Sequence, residues 1–146
     1  MATWRGFEAE APEFAARVRA RLDVHTHKTI ATLRKDGSPR ISGIECDVVD
    51  GELQFGAMWN SVKAVDLLRD PRFALHSGSD DPPGWHGDAK VAGTARAVTR
   101  ESDEQGRYHL FTADITEAVL VALNDRGDKL VIESWHEGRG LARTER

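Results

Sequence analysis

The stretch Met58-Trp59-Asn60-Ser61-Val62-Lys63 carries residue types that can hold a phosphate. It runs from the end of an expected strand into the start of an expected helix. Asn60 or Ser61 suits the N-cap, where a short side-chain oxygen accepts from a free backbone N–H. Lys63 then falls in the first turn, at the positive end of the helix macrodipole. A cation is disfavoured there unless an anion shares the site. Free N–H groups, a hydroxyl and a lysine at one helix start are the parts of a phosphate site. The plain alternative is a solvated Lys63, or one paired with Asp66. Trp59 beside this turn, and Trp85 in a Pro/Gly loop, could each wall a planar ring, with ordinary packing as the alternative.

The tail Trp135-His136-Glu137-Gly138-Arg139-Gly140-Leu141 follows the last expected strand. Trp135 and Arg139 on a glycine-loosened tail could close over a ligand, including one held by a neighbouring subunit. A frayed terminus is the alternative. His25 and His27 are two apart, on one face of a strand, but no third metal ligand is adjacent. The sequence has no Ser-His-Asp set, carboxylate pair or Gly-x-Ser-x-Gly elbow. It has no Gly-x-Gly-x-x-Gly dinucleotide fingerprint either. No catalytic residue is assigned, and no metal is expected.

These residues sit in a chain of 146, about one domain's worth, so residues 1–146 are read as a single domain. Twenty basic against 24 acidic side chains leave a net charge of -4 with no basic block. Nucleic acid and membrane surfaces are therefore not expected partners. Cys46 is the one cysteine, so an internal disulfide is impossible and a reducing cytoplasm suits the chain. The start predicts no signal peptide. The longest apolar run, Ala118 to Leu123, is six residues, against about 20 for a membrane-spanning helix.

The elements that must position the candidate residues follow from periodicity. Phe7, Ala11, Phe14, Val18 and Leu22 form one helical stripe, and Pro12 predicts a main helix from Pro12 to about Val24. Its outward face carries Arg17, Arg19 and Arg21, a possible counterface for an acidic ligand or simply a solvated surface. Strands are expected at Lys28–Lys35 and Pro39–Val49 around Asp36-Gly37, and at Glu52–Met58 after Asp50-Gly51. Ile44, Cys46 and Val48 share the inward face. A short helix is expected from Ser61 to Arg69, with Val62, Val65 and Leu68 as its apolar stripe and Pro71 beyond its end. Further strands are expected at Arg72–Ser77 and Ala89–Val98, then a helix at Glu101–Phe111. A final hairpin pairs Thr116–Leu123 with Lys129–Trp135. The run Ala118–Leu123 predicts burial on both faces, under a helix or at a subunit interface. The whole is a mainly β (α+β) fold, an antiparallel sheet of six to seven strands that closes to remove its edges.

The layout resembles the flavin-binding split β-barrels related to pyridoxamine 5′-phosphate oxidase. Three pieces carry the resemblance, within residues 28–98. Ile30-Ala31-Thr32-Leu33-Arg34-Lys35-Asp36-Gly37-Ser38-Pro39-Arg40 is similar to that family's first hairpin. Ser61 through Leu75 is similar to its phosphate helix and following strand, and Lys90-Val91-Ala92-Gly93-Thr94-Ala95 to its next long strand.

The resemblance implies a homodimer that binds flavin mononucleotide (FMN), or the deazaflavin coenzyme F-420, at the subunit interface. Lys63 matches the family's phosphate-binding lysine, with Ser61 beside it. Ser42, Gly43 and Ile44 match the strand along the isoalloxazine ring. Met58, Trp59 and Asn60 match the strand end next to the ribityl chain. Departures narrow the reading. Glu45 and Asp47 stand where the oxidase carries a lysine-terminated motif, and Gly140-Leu141-Ala142-Arg143-Thr144-Glu145-Arg146 lacks its paired Arg and His. Pyridoxal phosphate synthesis is not expected, and the shorter members, which include deazaflavin-dependent reductases, match better. The implied function is an oxidoreductase acting on a small-molecule substrate. A non-catalytic carrier of flavin, deazaflavin or haem is the alternative, and an empty structural barrel is a third.

Overall fold

The computed structural model describes residues 2–98 and 106–146. The N-terminal stripe is buried as its spacing requires, from Phe7 to Leu22. The main helix, α2 (Pro12–Asp23), begins at Pro12, and a shorter helix, α1 (Trp4–Glu10), precedes it. Ala11 between them has φ -141 and ψ 67. That break follows from the proline ring, which excludes α geometry from the preceding residue. Trp4, Phe7, Phe14 and Val18 pack under the two helices as an aromatic and aliphatic plug.

Strands β1 (Lys28–Leu33) and β2 (Pro39–Ile44) form the first hairpin, with Ile30 opposite Ser42. Gly37 closes its turn at φ 85. The run expected as one strand to Val49 breaks at Glu45. Before it, β2 pairs with β1; after it, β3 (Cys46–Val49) pairs with β4 (Glu52–Met58). Asp50 and Gly51 both take positive φ, as a two-residue hairpin demands. The helix α3 (Val62–Arg69) leads into β5 (Arg72–His76), and β6 (Asp88–Val98) pairs with it.

The C-terminal half departs from expectation. Tyr108–Leu123 is one sixteen-residue strand, β7. The helix expected over Glu101–Phe111 is thus overturned for its last residues, while residues 101–105 lie outside the described ones. Leu110, Phe111 and Thr112 pair with Gly56, Phe55 and Gln54, so sheet pairing overrides the local helical spacing. Along the apolar run, Ala118 and Leu120 are buried, while Val119 and Val121 are only half-buried. Then β8 (Leu130–His136) pairs with β7, and a strand missed in the sequence, β9 (Gly140–Glu145), pairs with β8.

The hydrogen-bonded order is β2-β1-β5-β6-β7-β4-β3, with β8 and β9 branching from β7. The ladder is open, yet its two end strands are consecutive in the chain, separated by Glu45 alone. The covalent run thereby bridges the gap, and the result is a split antiparallel barrel. The β6–β7 ladder shifts register between Ala92 and Gly93. A Cβ on Gly93 would stand 1.8 Å from the Asp114 carbonyl oxygen, so only glycine permits this bulge.

One buried carboxylate fixes α3 to the barrel. Asp66 is 2% exposed. It accepts from Thr32 Oγ1 of β1 at 2.9 Å, from Arg40 Nε of β2 at 2.8 Å, and from Arg69 Nη2 of its own helix at 2.9 Å. The same Arg69 nitrogen donates to the Leu33 carbonyl at 2.7 Å. Burial pushes the Asp66 carboxyl up, but the bonds from Arg40, Arg69 and Thr32 outweigh it and hold the group below the usual carboxylate range. The inward face of α3 is therefore Ala64, Asp66 and Leu67. The stripe Val62, Val65 and Leu68, expected to be buried, is exposed instead.

Asp66→Asn is expected to cost roughly 1–3 kcal/mol, because two guanidinium groups lose their charged acceptor. A lower urea midpoint would report it. The folded-state pKa of Asp66 lies below its unfolded value. Its stabilisation is therefore complete above the unfolded carboxylate range and is lost as pH falls through the folded value. Wild type should lose stability on acidification more steeply than the variant; identical pH profiles would contradict this account.

Candidate functional site

The site is built where β4 ends and α3 begins. Met58, Trp59 and Asn60 make the turn, closed by a bond from the Ser61 N–H to the Met58 carbonyl at 3.0 Å. Asn60 takes φ 59, a left-handed conformation that asparagine tolerates. Ser61 is the N-cap by backbone geometry, but its side chain makes no capping bond. Its Oγ is buried and has no partner. The first turn of α3 contains no acidic residue, so no carboxylate of that turn offsets the opening N–H groups.

Lys63 spans from that first turn to β2, where its ammonium donates to the Gly43 carbonyl. The bond brings together two of the segments singled out in the sequence, the β2 strand and the α3 turn. Asp66 is occupied by the two arginines, so the alternative pairing of Lys63 with Asp66 is not the one observed. Ser42 is half-buried and Gly43 exposed on β2, while the Ile44 side chain lies in the core.

Beside the turn, Trp59 stacks on His109 with ring centroids 4.4 Å apart and planes 8° from parallel. The Arg107 guanidinium lies over the Trp59 ring at 5.2 Å. A groove of about 680 Å³ runs past them, lined also by Glu45, Gly56, Ala57, Met58 and Tyr108. Met58 is 80% exposed at its mouth. The His109 Nε2 is buried without a partner. Arg107 and His109 were missed in the sequence because their segment was read as helix. In the β4–β7 ladder His109 stands opposite Ala57, which places it within reach of Trp59.

Other candidates do not join this site. Trp135 is fully buried, its ring 4.7 Å from Phe7, so it is a core residue rather than a flap over a ligand. Arg139 folds back onto Ser134, with Nη2 2.8 Å from both the carbonyl and the hydroxyl. Along β7, Tyr108 pairs with Met58 and Glu117 pairs with His136. Nine residues of strand separate those two points (117 minus 108), roughly 30 Å at ~3.3 Å each. Within the chain, Trp135 and Arg139 therefore stand far from Lys63. Arg17 is paired with Glu133 at 2.7 Å and Arg19 with Asp23 at 3.7 Å, which leaves their helix face largely neutralised. His25 pairs with Asp80 and His27 with Glu45. Among the described residues, no three potential metal ligands lie together.

Ser61 offers a direct test of this geometry. A capping serine costs about 1 kcal/mol when replaced by alanine. Here the hydroxyl caps nothing and is buried without a partner, so Ser61→Ala should leave thermal stability unchanged or raise it slightly. A loss near 1 kcal/mol would mean that the hydroxyl caps α3 in solution.

No family model matches the chain, and no curated protein matches it in sequence. Solved structures do match in shape. A pyridoxamine 5′-phosphate oxidase-related, FMN-binding protein of Nostoc punctiforme PCC 73102 aligns over 100% of this chain and 97% of its own, at 12% identity and a TM-score of 0.65. PhzG of Burkholderia lata 383, solved in complex with tetrahydrophenazine-1-carboxylic acid, aligns over 93% of this chain and 87% of its own, at 13% identity and a TM-score of 0.63. An F420 reductase aligns over 68% of this chain and 94% of its own, at 15% identity and a TM-score of 0.55. Taken with the open ladder bridged at Glu45, these likenesses give the chain the split-barrel fold of the pyridoxamine 5′-phosphate oxidase-related, FMN-binding proteins.

Proposed function

We propose that the protein binds a flavin-type cofactor, FMN or a deazaflavin, and acts as an oxidoreductase on a small molecule. One observation carries the reading. The buried, unpartnered Ser61 Oγ, an α3 first turn without an acid and the Lys63 ammonium fall within three residues of sequence that follow directly on the Met58-Trp59 edge of an open groove. These donors fit a phosphate ester: a hydroxyl, backbone N–H groups and a cation, with no acid among them in that first turn. Trp59, held flat by His109, gives the groove a rigid planar wall that suits a fused ring system. The FMN-binding protein and the F420 reductase that share this fold support the same class of cofactor.

A bound flavin or deazaflavin would supply the hydride chemistry. The chain's own part is to hold and orient. Lys63, tethered to β2 through Gly43, is fixed before a ligand arrives, so little side-chain entropy is lost on binding. Exposed Ile41, Met58 and Leu68 stand on β2, β4 and α3, the elements that carry the site. They support a homodimer that shields the groove, with the partner copy completing it.

Two measurements test the proposal. Absorbance of the protein titrated with FMN and with the deazaflavin should show one of them bound, and reduction by a nicotinamide donor separates an enzyme from a carrier. Lys63→Ala should weaken that binding about ten- to a hundredfold, since a charge-assisted hydrogen bond is worth roughly 1.5–3 kcal/mol. Equal affinity in wild type and variant would place the phosphate elsewhere. Sedimentation should give about twice the 16.2 kDa chain mass. A monomer that still binds cofactor would rule out a site shared between copies.

A further inference from the structure

The outer side of α3 forms a second groove, of about 490 Å³, against the tip of the first hairpin. Its rim holds Arg34, Lys35, Arg40 and Arg69. Only two acids accompany them, Asp36 and Asp66, so the local balance is +2 (four minus two) on a chain whose net charge is -4. Both acids are already engaged. Asp36 accepts from the Ser38 N–H at 3.0 Å and the Ser38 hydroxyl at 2.6 Å. Asp66 takes the three bonds described above.

The arginines are held in place rather than loose. Arg40 spends its Nε on Asp66, and Arg69 spends one Nη on Asp66 and the Leu33 carbonyl. Arg34 spends only its Nε, on the Pro39 carbonyl at 3.4 Å. The remaining guanidinium edges of all three, and the Lys35 ammonium, make no hydrogen bond to protein among the described residues, although the Arg34 charge acts on Asp36. Exposed Val62 and Val65 supply an apolar wall.

We infer that this groove is an anion-binding site, distinct from the Ser61–Lys63 turn, that takes the multiply charged head of an organic ligand. Guanidinium forks already fixed by a buried carboxylate bind paired oxygens at low entropic cost. A single negative charge would leave most of these donors unmatched. A head with two or more adjacent charges, a diphosphate or a vicinal polycarboxylate, uses them, and the valines accept the apolar part beside it. The inference stands on its own observations and does not depend on a flavin at Lys63.

Calorimetric titration of the full chain with inorganic pyrophosphate and, separately, with citrate tests it. Saturable binding that weakens as salt rises is expected, because Arg34, Lys35 and Arg69 are exposed and screened. Arg34→Gln and Lys35→Gln lie outside the Asp66 network, so the fold should survive, and each should weaken binding several-fold. The double variant should weaken it about tenfold or more. Pyrophosphate alone binding identifies a phosphate ligand; citrate binding as well identifies any polyanion of that spacing. Lys63→Ala should leave this binding intact while it weakens binding of FMN or the deazaflavin. The inference is overturned if neither probe binds saturably. It is equally overturned if the hairpin variants bind as wild type does, or if Lys63→Ala alone abolishes binding.

Discussion

Everything at the candidate site depends on a negative charge out of reach of water. Asp66 sits on the inner side of α3 and is met by a hydroxyl from β1 and guanidinium groups from β2 and α3 itself. An isolated carboxylate in that position would be expensive. Three donors make it affordable, and the geometry they impose leaves α3 little freedom. The helix cannot roll without breaking bonds to two different strands. Its start, with Ser61 and Lys63, and its outer face, with Val62, Val65 and Arg69, are thereby set by one residue, which also lines the second groove.

Much of the barrel was legible because its strands alternate and its turns are glycine-marked. Gly37 in the first turn, and Asp50 and Gly51 in the second, take the positive φ their pairing needs, and Glu52–Met58 has the limits its alternation implied. The misses share a cause. Periodicity reports which residues lie on one face, and says nothing of what covers that face. On α3 the apolar stripe is real, but the barrel covers the face with Ala64, Asp66 and Leu67 instead. The buried aspartate carried no signal, since its partners are 34, 26 and three residues away. The start of β7 has helix-compatible spacing and becomes strand through contacts with β4, distant in sequence. The strand β9, Gly-Leu-Ala-Arg-Thr-Glu, is exposed at five of its six positions and does not alternate, so no hydrophobic pattern marks it.

For the site, local chemistry pointed to the α3 turn, and the geometry adds why that turn is poised. Its hydroxyl is left without a bond and its cation is anchored on the neighbouring strand. Local reading offered Trp59 as a wall and could not supply the residues that hold it. Arg107 and His109 reach Trp59 only because the β4–β7 register puts Ala57 beside His109. The opposite error concerned Trp135, a residue type suited to ligand contact whose place in the ladder puts it in the core.

Glu45 is the single residue between two strands that belong to opposite ends of the sheet. Ile44 before it and Cys46 after it keep the same inward parity, although their hydrogen-bonding partners differ. The two halves of the barrel are therefore coupled by counting as well as by contact. Adding or deleting one residue here would turn Cys46 and Val48 outward and Asp47 inward, while leaving β1 and β2 untouched. A change of two residues would preserve parity and alter only the width of the split. The evolutionary freedom of this joint is thus quantised: its length can drift in even steps, and odd steps require the whole β3–β4 hairpin to be rewritten.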